Sequence, residues 1–185
     1  NKHLPLTIFG NPSLKGVHYE EKKGSAQCKS SVIFGAMRAK GYTFVKAKKS
    51  RNHTELLCKY LGLPITIQQK NKHDEIRIGE VKNLKPLNYN IPGDISSAAF
   101  FIALTVLTND SQLTIKKVNI NPSRIGIITI LKKMGIKITF KNLRFYRGER
   151  IADLKVKSPK IIKSINCPTK LNSSAIDEFL IIFII

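Results

Sequence analysis

Four residues in this chain combine a side-chain type with a setting in which chemistry is possible: Ser25, Gln27, Arg51 and Asp177. Ser25 lies in Gly24-Ser25-Ala26-Gln27-Cys28-Lys29-Ser30-Ser31, where a helix is predicted to begin. A helix start offers unpaired N–H donors and the positive end of the helix dipole, so a phosphate or carboxylate suits it. The Gln27 amide could reach a hydroxyl or carboxylate of the same ligand. A plain N-cap accounts for Ser25 equally well. Arg51 follows the basic run Lys46-Ala47-Lys48-Lys49-Ser50, and its guanidinium could grip a phosphate with two parallel hydrogen bonds. A solvated arginine at a helix start is the alternative. Asp177 sits in Ser173-Ser174-Ala175-Ile176-Asp177-Glu178-Phe179, the predicted first turn of an apolar helix. There a carboxylate either complements the dipole or serves as an acid or base, and residue chemistry leaves both open.

These residues belong to a chain that nearly repeats itself. Ser25–Ile67 and Ser96–Thr139 each carry a Ser/Ala start, an apolar run, a strand-like segment, a Ser-Arg pair, a second apolar run and a glycine. Arg51 and Arg124 are separated by 73 residues, as are Gly62 and Gly135. A third copy opens at Ser173-Ser174-Ala175. Such a period defines the structural unit, and positions where the copies disagree are where chemistry is sought. Gln27 stands out by that criterion, because its counterpart region is Ala98-Ala99. Arg51 stands out less, because Arg124 occupies the same place.

The elements follow from periodicity and punctuation. Leu4–Phe9 reads as the end of a strand, Gly10–Gly16 as a turn and Val17–Tyr19 as a short strand. A helix is predicted from Ser25 to about Ala39, its apolar stripe on Cys28, Val32, Ala36 and Ala39. Tyr42–Lys46 reads as a strand and Asn52–Leu61 as a helix stopped by Gly62. Ile65–Ile67 and Glu75–Ile78 form a predicted hairpin. Leu84–Gly93, with two prolines, reads as a connection between domains. Asp94 caps a helix over Ile95–Leu107, followed by strand Gln112–Val118, helix Arg124–Met134, strand Ile136–Phe140, a hairpin through Asn142 to Phe145, strand Ile151–Val156 and a helix from Ala175. The alternation argues α/β architecture.

Composition narrows the classes. At 42% hydrophobic and 24% charged residues, 185 residues can bury a core. The net charge of +20 fits either a lysine-rich bias spread over solvated faces or an anionic partner, nucleic acid or phosphorylated metabolite. Cys28, Cys58 and Cys167 form no Cys-x-x-Cys pair, so neither a zinc site nor a disulfide framework is suggested, and a reducing cytoplasmic setting is expected. The longest apolar run, Phe179–Ile185, is too short to span a bilayer. No signal-peptide layout opens the chain, and both ends read as cuts through a longer protein.

Taken in order, Leu4-Pro5-Leu6-Thr7-Ile8, Gly24-Ser25-Ala26-Gln27-Cys28-Lys29-Ser30, Ser50-Arg51-Asn52-His53-Thr54-Glu55, Pro92-Gly93-Asp94-Ile95-Ser96-Ser97-Ala98-Ala99-Phe100, Asn121-Pro122-Ser123-Arg124-Ile125-Gly126 and Ile176-Asp177-Glu178 resemble the 5-enolpyruvylshikimate-3-phosphate (EPSP) synthase family. The resemblance implies repeated βαβαββ units in an inside-out α/β barrel, present here as two partial domains, residues 1–86 of the shikimate-3-phosphate-binding domain and residues 87–185 of the second. It implies transfer of the enolpyruvyl group of phosphoenolpyruvate to the 5-hydroxyl of shikimate 3-phosphate, a step toward chorismate and the aromatic amino acids, with no metal or organic cofactor. By the same resemblance Ser25 and Ala26 hold the shikimate phosphate, Ala26 through its backbone. Gln27 contacts both substrates, Arg51 lies beside the phosphate, and Asp177 binds the reacting hydroxyl and can take its proton. The family's Lys-Ser…Arg segment and its Lys-Glu…Arg segment are not in this sequence, so the isolated chain is expected to be inactive; the full-length protein is expected to be a monomer with no nucleic-acid or membrane partner. Three rivals remain: the related UDP-sugar enolpyruvyl transferase, whose reactive loop cysteine has no counterpart here, a basic nucleic-acid-binding module, and a degenerate fragment that has no function or only complements another chain.

Overall fold

The computed structural model describes residues 5–185. It is an α/β protein with two sheets, one mixed and one antiparallel, and it divides into two compact units. The described residues up to Lys48 together with Leu63–Leu84 form the first; Lys49–Gly62 together with Lys85–Ile185 form the second.

In the first unit β1 (His18–Glu21), α1 (Ala26–Ala36), β2 (Tyr42–Lys48), β3 (Ile65–Gln69) and β4 (His73–Gly79) build a four-stranded sheet in the order β1-β2-β4-β3. β1 runs parallel to β2 and the other pairs are antiparallel. The alternation along β2 buries Thr43, Val45 and Ala47 and exposes Tyr42, Phe44, Lys46 and Lys48, as period-two side chains require. α1 packs on the buried face through Ile33 and Ala36. Its third buried position is Lys29, which corrects the expected stripe: Cys28 is exposed and Val32 only half-buried, so the inward face is turned by one residue. The helix also ends at Ala36, three residues before the expected limit. Residues 5–9 form no strand; Leu6, Ile8 and Phe9 are exposed, and alternation without a partner strand makes no ladder. Leu4 lies outside the described residues.

The second unit contains α2 (His53–Tyr60), α3 (Ile95–Leu107), β5 (Gln112–Asn119), α4 (Gly126–Lys133), β6 (Lys137–Tyr146) and β7 (Glu149–Lys157), with an antiparallel sheet in the order β5-β7-β6. Asp94 caps α3 by accepting from the Ser97 N–H at 3.0 Å. Ile102, Ile127, Leu131, Leu154 and Val156 lie at the centre of the core. A parallel bridge between Gly93 and Val118 stands where the first strand of a second copy would lie. Gly62 and Gly135 both close helices at positive φ, 67° and 92°, which explains their matched spacing. The expected hairpin at Asn142 is instead a bulge within β6. Asn142 has φ 50° and its amide donates to Asp153 Oδ2 at 2.7 Å, while the chain reverses at Arg147-Gly148. The expected helix from Ala175 is broken into a one-turn α5 (Asn172–Ala175), a 3₁₀ turn over Ile176–Glu178, and α6 (Phe179–Ile184).

Candidate functional site

In the first unit the candidates are consecutive residues at the start of α1. Ser25 is the N-cap, in extended conformation, and its Oγ accepts from the Cys28 N–H at 3.2 Å. The preceding turn is shaped from below by Glu21, which is buried and accepts from the Lys23 N–H at 2.8 Å and the Gly24 N–H at 2.6 Å. Burial works against a charged Glu21, but hydrogen bonds from the backbone of Ser25, Gly24 and Lys23 and the charge of buried Lys29 outweigh it, and the carboxyl is held below its ordinary range. The amides of Lys23, Gly24 and Cys28 thus have partners within the protein. Gln27 is exposed, and Ser25 and Ala26 are half-buried. Glu21 and Lys29 carry no signal in the sequence, because the expected stripe through Cys28 leaves Lys29 off the inward face.

The second unit holds Arg51 and Asp177 together. Arg51 Nη1 lies 3.1 Å from Asp177 Oδ2. The segment that carries Arg51 is fixed by its neighbours: Asn121 Nδ2 donates to Asn52 Oδ1 at 2.9 Å, and His53 Nδ1 lies 2.7 Å from Glu149 Oε1. Asn119 Nδ2 also donates to Glu149. Burial would raise the Glu149 carboxyl, but the hydrogen bonds from His53 and Asn119 and the charge of His53 prevail and hold it low.

Asp177 meets a second arginine. Arg124 Nη1 donates to the same Oδ2 at 3.3 Å. Arg124 Nη2 donates to Asp94 Oδ1 at 3.1 Å and to Ser96 Oγ, and lies 3.8 Å from Glu178 Oε1. Ser96 Oγ donates in turn to Glu178. Burial pushes the Glu178 carboxyl up, against the Ser96 hydrogen bond and the charge of Arg124, and Asp177 and Asp94 add to the rise. Asp177 lies in a 3₁₀ turn rather than an α-helix, with its side chain 42% exposed. Among the described residues no group of three or more His, Cys, Asp or Glu could hold a metal ion, and no helix is long and apolar enough to cross a membrane.

Comparison with known proteins gives a consistent result. Residues 1–183 match the family model for EPSP synthase (3-phosphoshikimate 1-carboxyvinyltransferase). The chain is 41% identical over 185 residues to the 3-phosphoshikimate 1-carboxyvinyltransferase of Ruthia magnifica subsp. Calyptogena magnifica, covering all of this chain and 41% of that protein. It is 42% identical over 181 residues to that of Legionella pneumophila (strain Lens), covering 97% of this chain and again 41% of the relative. An EPSP synthase structure from Acinetobacter baumannii superposes with a TM-score of 0.82 at 36% identity, over 96% of this chain and 40% of that one. The enolpyruvyl transferase NikO of Streptomyces tendae shares the fold at 12% identity, with a TM-score of 0.55 over 81% of this chain and 36% of that one. The chain therefore spans about two fifths of the length of the curated relatives it matches.

Proposed function

The chain belongs to the EPSP synthase family, and from that membership we propose that it is part of a 3-phosphoshikimate 1-carboxyvinyltransferase. The observation that carries this reading is the 41% identity sustained over all 185 residues. The substrates are shikimate 3-phosphate and phosphoenolpyruvate. The 5-hydroxyl oxygen adds to C2 of phosphoenolpyruvate as a proton adds to C3, giving a tetrahedral intermediate; loss of phosphate from C2 with a proton from the C3 methyl group then forms the enol ether.

In this proposal the start of α1 receives the shikimate phosphate. Ser25 and the backbone of Ala26 hold its oxygens, and Gln27 reaches both substrates. Arg51 supplies positive charge beside the phosphate. Asp177 accepts a hydrogen bond from the 5-hydroxyl and draws on its proton, because an alcohol attacks poorly until a base within reach does so. What supports these roles is the exposure of Gln27 and of Asp177, which leaves both open to a ligand. The finer parts of the reading are proposals of the same rank: residues 1–86 within the shikimate-3-phosphate-binding domain, residues 87–185 within the second domain, inside-out barrel closure in the longer protein, and a cytoplasmic monomer.

The isolated chain is expected to show no phosphate release with both substrates, and to be stabilised thermally by shikimate 3-phosphate in a concentration-dependent way. Equal stabilisation of Gln27→Ala and the parent would refute the role of Gln27. Failure of shikimate 3-phosphate to stabilise the chain, with tight salt-sensitive binding to duplex DNA, would replace the reading with a nucleic-acid module.

A further inference from the structure

The two arginines that meet at Asp177 are the repeat-equivalent pair. Arg51 and Arg124 stand at the same place in successive copies, and both put Nη1 on the same oxygen, Oδ2 of Asp177, at 3.1 and 3.3 Å. They are anchored differently. The Arg124 side chain is 13% exposed, that of Arg51 25% and that of Asp177 42%. Arg124 is thus the inner member, and its second nitrogen is committed to Asp94 Oδ1 and Ser96 Oγ in the first turn of α3. Asp94 is itself fixed, because its other oxygen accepts from the N–H and the hydroxyl of Ser97.

An anion site would be one use for two converging guanidiniums, but the charges around Arg124 argue against that use of the inner one. Three carboxyl groups, Asp94, Asp177 and Glu178, already face Arg124 within 3.8 Å. At Arg124 an incoming phosphate would meet three acids around one guanidinium. The arrangement suits orientation of a carboxylate instead. Asp177 lies in a short 3₁₀ turn. Both ion-pair contacts fall on Oδ2, and Oδ1 has no partner among the described residues.

We propose that Arg124 is a positioning residue for Asp177: by tying Oδ2 to the capped first turn of α3, it presents Oδ1 to the substrate hydroxyl. This rests on the reading of Asp177 as the group that receives the 5-hydroxyl. Arg124 does not touch the substrate. Its planar fork is what the task needs, since one group must reach Asp177 with one nitrogen and Asp94 with the other. A lysine keeps the charge but offers a single centre.

The test compares the 185-residue chain with Arg124→Lys and Arg124→Met by NMR, reading the Asp177 side-chain couplings and Cγ resonance. The parent is expected to hold Asp177 in one rotamer, and Arg124→Lys to average over two or more while its melting temperature stays close to the parent's. Should Arg124→Met unfold the second unit, Arg124→Lys still decides. Couplings unchanged in Arg124→Lys would overturn the proposal, since a merely structural arginine alters melting without freeing the Asp177 side chain. Shikimate 3-phosphate is then added. In the parent, the Gln27 side-chain amide and the Asp177 Cγ are both expected to shift; in Arg124→Lys the Gln27 shift survives and the Asp177 shift is lost. A parent in which neither resonance moves would overturn the substrate reading, whereas loss of the single rotamer in Arg124→Lys would still support the positioning role.

Discussion

Gly126→Ala tests how the turn that bears Asp177 is held in place. Gly126 opens α4, and a methyl group there would come within 2.4 Å of Ser174 Oγ, 2.7 Å of the Ser174 carbonyl carbon and 2.8 Å of its oxygen. Two of those atoms are backbone, so a rotamer change cannot relieve the clash. Two effects compete. Alanine gains about 1 kcal/mol of helix propensity over glycine. Overpacking a well-packed contact costs about 1–3 kcal/mol, and distances this short belong at the upper end. The clash wins, leaving a net loss of about 1–2 kcal/mol, or roughly 2–8 °C in melting temperature for a chain of this size. Ser174 precedes Asp177 by three residues, so the displaced backbone also moves the Arg51–Asp177 contact. Thermal unfolding followed by a probe in the second unit measures the loss. Adding Ser174→Ala removes the closest of the three contacts but leaves the two backbone ones, and deletes the hydrogen bond from Ser174 Oγ to the Leu171 carbonyl. Less than half of the loss is therefore expected to return. Gly35→Ala is the control: it lies inside α1 with nothing within 4 Å of the added methyl group, and should stabilise by about 0.5–1 kcal/mol. A Gly126→Ala protein that melts at or above the parent would refute the packing argument.

Other expectations follow from the ionised and capping groups. Glu149→Gln should destabilise the second unit by about 1–3 kcal/mol at neutral pH, since it weakens a buried carboxylate's hydrogen bonds with His53 and Asn119. Because the folded Glu149 carboxyl is held low, its contribution is full above the ordinary carboxylate range and is lost as pH falls through the folded value, so the two melting curves should converge in acid. Glu178 has the opposite sign. Its folded carboxyl is raised, so stability falls as pH climbs from its ordinary value of 4.5 through the folded value, and Glu178→Gln should flatten that slope in melting temperature against pH. Ser25→Ala should cost about 1 kcal/mol through the lost cap to the Cys28 N–H, read by hydrogen exchange at the start of α1.

Sequence signals are legible where the structure uses them locally. Asp94 with Ser97 is a cap written within four residues, and the helix over Ile95–Leu107 has the expected limits. The glycines that punctuate α2 and α4 end them through positive φ, a property of the residue itself. The differences share a cause, which is that one local signal serves two structures. An asparagine that tolerates positive φ makes a turn or a bulge, and Asn142 makes the bulge because β7 continues opposite it and Asp153 receives its amide. A lysine counts as a surface residue in any stripe, so periodicity alone sets the inward face of α1 one residue off; Lys29 is buried beside Glu21, and nothing in the helix alone announces that acid.

The deeper gap concerns the repeat. In sequence, agreement between copies reads as scaffold, and by that logic Arg124 diminishes the interest of Arg51. In the structure the matched position is where the chemistry of the cluster concentrates: two equivalent arginines converge on one carboxylate oxygen that neither copy supplies. The partner comes from the opening of a third copy, at Asp177. Repetition places the same cation at the same point of successive units, and a carboxylate from a further unit can draw both. Within a unit, then, likeness between copies marks structure; where equivalent positions from different copies meet, as at Asp177, it builds a shared ion-pair cluster, and only the packed arrangement tells the two apart.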